Sequence, residues 1–231
     1  MSTLRRTLPA AGILVAMAVI VRPLQADSVA ERLKESATVL SEIMGAPDKG
    51  IPRDLLADAH CVVVVPGVKK AAFIVGGKYG RGFIVCRRAN NQGWGAPAAV
   101  RMEGGSVGWQ VGGSETDVVM LVMDERGMER LLQSKFTLGA GADVAAGPVG
   151  RSASAQTDAR FTAKILTYSR SRGVFAGVSL GGATLRQDLD ENREMYGRPL
   201  RNKQIVTRAT KPPAAASELL SVLNRYSRRE S

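Results

Sequence analysis

The chain has 231 residues, two cysteines, one histidine and a formal charge of +11. That length accommodates one compact domain with a sizeable core. Three Cys and His residues are too few for the roughly four short-spaced ligands of a zinc site, and the charge favours anionic partners.

Arg5 and Arg6 precede an apolar run, Ala10 to Val21, and a suitable cleavage point follows Ala26. The run falls short of the roughly 20 residues of a membrane span. Residues 1–26 are therefore expected to be a secretory signal peptide. Removing Arg5, Arg6 and Arg22 leaves 29 basic against 21 acidic residues, a charge of +8. The expected location is periplasmic or envelope-associated, which removes nucleic acid as a natural partner.

Ser28 and Glu31 form a capping box, and Val29, Leu33, Ala37, Leu40 and Met44 recur at helical spacing, so a helix is predicted over 29–44. A shorter one is predicted from Pro52 to Ala59. His60 to Arg88 then holds three apolar runs, Cys61–Val65, Ala71–Val75 and Phe83–Cys86, each read as a short strand. The turns between them carry cations: Lys69 and Lys70 in the first, Lys78 and Arg81 in the second. Cys61 and Cys86 bracket these strands. They are either a disulfide, which export would allow, or two buried small side chains.

A hairpin is predicted from 98–103 and 106–111 around Gly104-Gly105, then a strand over 116–123 and a short helix capped by Asp124. Met120, Met123 and Met128 fill the core or line an adaptable lipid pocket. Strands follow at 135–140 and 142–147, a polar loop at 152–157, and a second hairpin from 163–170 and 174–180 with period-two alternation. Asp188–Tyr196 reads as a short helix. Residues 198–213 turn basic and proline-containing, which predicts a linker, and 217–226 predicts a terminal amphipathic helix, either a frayed or weakly docked terminus or a basic tail that touches anionic lipid. About nine strands without strand–helix alternation make the expected class α+β: β-rich, with a largely antiparallel sheet or barrel-like core covered by a few short helices.

No cofactor motif is present. Gly77 to Gly82 lacks the phosphate-loop pattern and leads into a strand rather than a helix. A Ser/His/Asp arrangement would have to use the single histidine, His60, which sits beside a strand core. A carboxylate enzyme would need two of Asp117, Asp143, Asp158 and Asp188 to converge, and nothing in their spacing requires it.

From Leu33 to Gly197 the chain resembles the SYLF lipid-binding domain family, in its exported bacterial branch. The resemblance rests on CVVVVPGVKKAAFIVGGKYGRGFIVCR, GWGAPAAVRMEGGSVGWQVGGSETDVVMLVM, GMERLLQSKFTLGAGADVAAGPVGR and ILTYSRSRGVFAGVSLGGATL. It implies lipid binding without catalysis over a domain of residues 27–197, with 198–231 as linker and terminal helix. The basic residues Lys69, Lys70, Lys78 and Arg81, which match the family's VKKAxFIxGxxYGxG pattern in place, are the implied lipid contacts. The expected partner is an anionic phospholipid or membrane surface. The alternative is an envelope structural or interaction protein that binds a protein or cell-wall polymer.

Overall fold

The computed structural model describes residues 28–46, 50–72, 75–88, 93–107, 112–138, 144–150, 163–171, 174–177, 180, 182–208 and 210–228. The predicted signal peptide, the 152–157 loop, Trp109, Asp143 and Asp158 lie outside these residues. Among the described residues no helix is long and apolar enough to cross a membrane.

The chain opens with α1 (Val29–Gly45), whose Ser28–Glu31 capping box forms as expected, and α2 (Arg53–Asp58). Two long strands follow in place of three short ones: β1 (Cys61–Ala72) and β2 (Val75–Cys86). Then come β3 (Ala98–Val107), β4 (Gly112–Val122), α3 (Glu125–Leu131), β5 (Lys135–Thr137), β6 (Val144–Ala146), β7 (Ile165–Ser171), β8 (Val174–Gly177), β9 (Thr184–Gln187), α4 (Leu189–Tyr196), α5 (Asn202–Thr207) and α6 (Ser217–Tyr226). The strands form one sheet in the order β5-β9-β3-β2-β1-β4-β7-β6, with β8 also paired to β7. Every pairing is antiparallel except β6 with β7. The α+β, largely antiparallel class is as expected.

The sheet has to curl. If flat, seven interstrand steps would hold β5 and β6 roughly 34 Å apart. Yet the chain from Thr137 to Val144 can span only roughly 25 Å. Two apolar clusters follow from this shape. The inner one includes Cys61, Val63, Ile84, Val100, Met120, Ile165 and Leu185, with Phe136 and Val144 packed against it from the two edge strands. The outer one holds Val62, Val64, Phe83, Val119, Leu121 and Tyr168 together with Leu33, Leu40, Leu56, Leu219 and Leu223 of α1, α2 and α6. β1 is buried on both faces, which is why Cys61–Val65 reads as an unbroken apolar run rather than an alternating one. Each of these side chains contributes roughly 1.5–3 kcal/mol of apolar burial. Met120 is sealed in the inner cluster and Met123 packs on the outer one, so the three methionines serve the core and share no pocket.

Three departures from the sequence reading affect the site. First, the Pro66-Gly67 stretch is not a turn. It is a bulge inside β1, with Gly67 at φ 56. The Gly67 N–H donates to Asp117 Oδ1 at 2.9 Å. Second, β3 runs straight through Gly104-Gly105 and pairs with β2 and β9, so the 98–111 hairpin does not form. Third, residues 198–213 are not merely a linker. They contain α5, and Leu200 and Ile205 are buried in the inner cluster. Asn192 accepts from the Ala99 N–H at 2.7 Å and donates to Asn202 at 2.7 Å and the Leu200 carbonyl at 2.9 Å, pinning this segment to β3.

The terminal helix is docked, not frayed. Leu219 and Leu223 of α6 are fully buried. Arg87 donates to the carbonyls of Ala57 (2.7 Å), Ala59 (3.0 Å) and Ser227 (3.4 Å) and lies over the Trp94 ring at 4.5 Å. The Trp94 indole in turn donates to Ser227 at 2.8 Å.

Cys61 and Cys86 form a disulfide. They are register partners at the start of β1 and the end of β2, and both are buried. The bond closes a loop with a sequence separation of 25. Replacing both cysteines by alanine is expected to lower stability by about 2–4 kcal/mol. A urea midpoint unchanged from the parent would contradict this.

Candidate functional site

The four basic residues singled out by the sequence lie on strands, and the strands divide them between two faces. On β1, Val65 and Val68 both face inward because the bulge adds one residue between them. Lys69 therefore points to the outer face and Lys70 to the inner one. On β2, Ile84 is inward and Phe83 outward, so Lys78 is inward and Tyr79 and Arg81 outward.

Lys70 and Lys78 are direct register partners on the inner face at the distal end of the hairpin. They lie one step beyond Val68 and Gly80, at the margin of the apolar interior. Their other register partners are Ser114 and Gly104, neither of them acidic. Like charges directly opposite one another on adjacent strands are destabilising. On the outer face Lys69 is exposed and lies between Glu115 of β4 and Tyr79 of β2. Tyr79 is one of three large apolar side chains exposed among the described residues, at 46 %. Its hydroxyl accepts from Arg81 Nε at 2.8 Å.

Arg81 was reached through the sequence pattern, but its row was not. It is in register with Arg101 of β3, Arg101 with Arg186 of β9, and Arg186 with Lys135 of β5. The signal was present as Val100-Arg101-Met102-Glu103, where apolar and charged residues alternate. The expected hairpin at Gly104-Gly105 gave that alternation a different partner. The strand β9, at Thr184–Gln187, was not predicted at all.

Of the four acids only Asp117 and Asp188 are among the described residues, and these two do not converge. Asp117 stands on the outer face of β4, held by Gly67 N–H and by Arg170 Nε at 2.6 Å. Burial pushes its carboxyl above the ordinary range, against the Gly67 hydrogen bond, and the Glu115 charge adds to the rise. Asp188 caps α4 and lies 3.4 Å from Arg81. Strands β1, β2 and β3 separate the two.

A family model described as "Las17-binding protein actin regulator", Ysc84, matches residues 103–226, more than half of the chain. The chain belongs to the Ysc84, or SYLF, family. This SYLF chain is 33% identical over 203 residues to the SH3 domain-containing YSC84-like protein 1 of Homo sapiens, covering 87% of itself and 58% of the human protein. It is 35% identical over 205 residues to Protein YSC84 of Saccharomyces cerevisiae, covering 85% of itself and 43% of that protein. LAS seventeen-binding protein 3 of the same yeast is 34% identical over 205 residues, with 85% and 44% covered. The SYLF chain thus spans little more than half of its human relative and less than half of its yeast ones. The family model's description speaks of Las17 binding and actin regulation, and the third relative's name of LAS seventeen binding.

Proposed function

We propose that this SYLF chain is a non-catalytic binding protein of the cell envelope that associates with anionic phospholipid through the distal end of its β1–β2 hairpin. The observation that carries the reading is the Lys70–Lys78 pair, two cations set opposite each other with no acidic register partner. Such a pair is relieved by an anion from outside. Lys69 and the exposed Tyr79 stand beside it on the other face. A tyrosine ring suits the boundary between headgroups and water. Buried in the core, the disulfide accords with an oxidising compartment such as the periplasm.

Each lysine near an anionic surface contributes roughly 1 kcal/mol at low salt, so Lys70→Gln with Lys78→Gln should weaken binding by about 30-fold. Co-sedimentation with phosphatidylglycerol and with phosphatidylcholine vesicles over a salt series checks this. Equal binding to both vesicle types would sink the reading.

A protein partner is the second reading, and a specific feature favours it. A groove of about 330 Å³ runs between α1 and α6, lined by Thr38, Ser41, Glu218, Ser221 and Arg225 among others. The yeast relative's description as a LAS seventeen-binding protein fits the same class. Capture of one defined partner from lipid-free envelope extract, lost on Ser221→Trp, would favour the groove over the hairpin.

A further inference from the structure

The outer face of the sheet carries a row of four cations that the hairpin reading does not use. Arg81, Arg101, Arg186 and Lys135 stand directly opposite one another on β2, β3, β9 and β5. All four are on the outer side, since Gly82, Met102, Leu185 and Phe136 next to them belong to the inward series. Three interstrand steps make the row about 14 Å long. Helices α1, α2 and α6 cover the neighbouring apolar part of this face, but the three arginine side chains remain 39%, 36% and 39% exposed.

A sheet gains nothing from such a row by itself, because each cross-strand pair repels. The acids that answer it are too few. Glu103 alone serves two arginines, with Arg101 Nε at 3.0 Å and Arg186 Nε at 3.2 Å. Those two Nε atoms are shielded from water and make no hydrogen bond, so the carboxylate lies near them without satisfying them. Asp188 answers Arg81 at 3.4 Å. Among the described residues Glu103 and Asp188 answer the four cations, and Glu191, which also acts on Arg81, is already paired with Arg32, so two positive charges remain in one line.

We propose that this row is a phosphate-binding surface, and that the phosphates it takes are headgroups of an anionic bilayer lying along the outer face. The second half rests on the lipid reading above; the first does not. Several phosphate groups at bilayer spacing can engage a line of cations at once, and a tetrahedral oxyanion can accept from two neighbouring guanidiniums. Glu103 occupies the place such an anion would compete for. Its removal and the removal of its arginines therefore act in opposite directions, which a merely structural ion pair would not produce.

The test uses the disulfide-bonded chain with two probes. Inorganic pyrophosphate is titrated while the amide resonances of β3 and β9 are followed, and phosphatidylglycerol vesicles are co-sedimented at fixed ionic strength. Arg101→Gln with Arg186→Gln should weaken both by about fivefold per charge removed, and Glu103→Gln should tighten both by about fivefold. Lys135→Gln, on an exposed edge strand, repeats the loss without touching the ion pairs should the double variant fail to fold. Absence of shifts in β3 and β9, or a Glu103→Gln that weakens binding as the arginine changes do, overturns the proposal. Wild-type affinity in every ladder variant, with loss confined to Lys70→Gln and Lys78→Gln, overturns the ladder and leaves the hairpin standing. Pyrophosphate binding on the row without any vesicle binding overturns the bilayer half and the lipid reading together, and leaves a site for soluble phosphate.

Discussion

Arg32→Ala is expected to destabilise the fold by about 3–5 kcal/mol, because it strips the cation from a buried ion pair. Arg32 of α1 donates to Glu191 of α4 across 159 positions of sequence, and both side chains are nearly inaccessible. Glu191 would be left in the interior beside a second buried carboxylate, Asp188, and Glu191 Oε2 and Asp188 Oδ2 already have no hydrogen-bond partner. Glu191→Gln should cost less, since its amide oxygen still accepts from Arg32 and the Asp188 carboxylate stays close by. The double variant Arg32→Ala with Glu191→Gln should recover part of the loss. Urea unfolding of all three checks the order. An Arg32→Ala variant no less stable than Glu191→Gln would show that the pair is not the tie between α1 and α4.

The same pair sets a direction in pH. Burial pushes the Glu191 carboxyl up from its ordinary value of 4.5; the Arg32 charge opposes this and the Asp188 charge adds to it. In the window above 4.5 the folded chain holds this proton more tightly than the unfolded chain, so this group's contribution to stability falls as pH rises. Its cost is absent below 4.5 and complete above the raised folded value. Without Arg32 that value rises further. The deficit of Arg32→Ala should therefore be largest at neutral pH and shrink on acidification towards 4.5. A deficit independent of pH would mean that Arg81, whose charge already acts on Glu191, takes over from Arg32.

Local and periodic features were legible in the sequence. The capping box at Ser28 and Glu31, the Asp124 cap, the short helix ending at Tyr196 and the period-two hairpin of β7 and β8 form where their patterns place them. The family was legible in its long motifs. What was not legible depends on pairing between distant segments. The Cys61–Cys86 bond required the register of β1 against β2, which composition does not contain. The division of Lys69 from Lys70 depends on one extra residue in a bulge. The row of Arg81, Arg101, Arg186 and Lys135 comes from four segments spread over more than one hundred positions, and only the strand order assembles it. Glycine misled the reading most. Pairs and near-pairs of glycine suggested turns, whereas in β2 and β3 they lie within continuous strands.

Gly82→Ala shows what those glycines are for, and it is expected to cost about 3 kcal/mol or more, at the upper end of what overpacking a core does. A Cβ at Gly82 would lie 2.0 Å from the Val64 carbonyl oxygen and 2.7 Å from Val65 Cα. Both are backbone atoms of a strand paired on both sides, so neither can swing away. At Gly80 the added carbon would meet side-chain methyls first, Val68 Cγ2 at 2.8 Å and Val65 Cγ1 at 2.9 Å, which can partly rotate. At Gly77 it would meet nothing within 4 Å. Stability should therefore fall in the order Gly77→Ala, Gly80→Ala, Gly82→Ala, and equal urea midpoints for the first and last would refute the close approach. β1 presses on β2 here because its Pro66-Gly67 bulge inserts one residue against both neighbours. Were the bulge flattened into a regular ladder with every residue kept, the alternation beyond Val65 would continue unbroken, Lys69 would face inward and Lys70 outward, and Lys70 would no longer meet Lys78. The small residue at 82 thus admits the bulge, and the bulge aligns the cations. A Gly82→Ala protein that still folds should lose vesicle binding along with stability, even though residue 82 carries no charge.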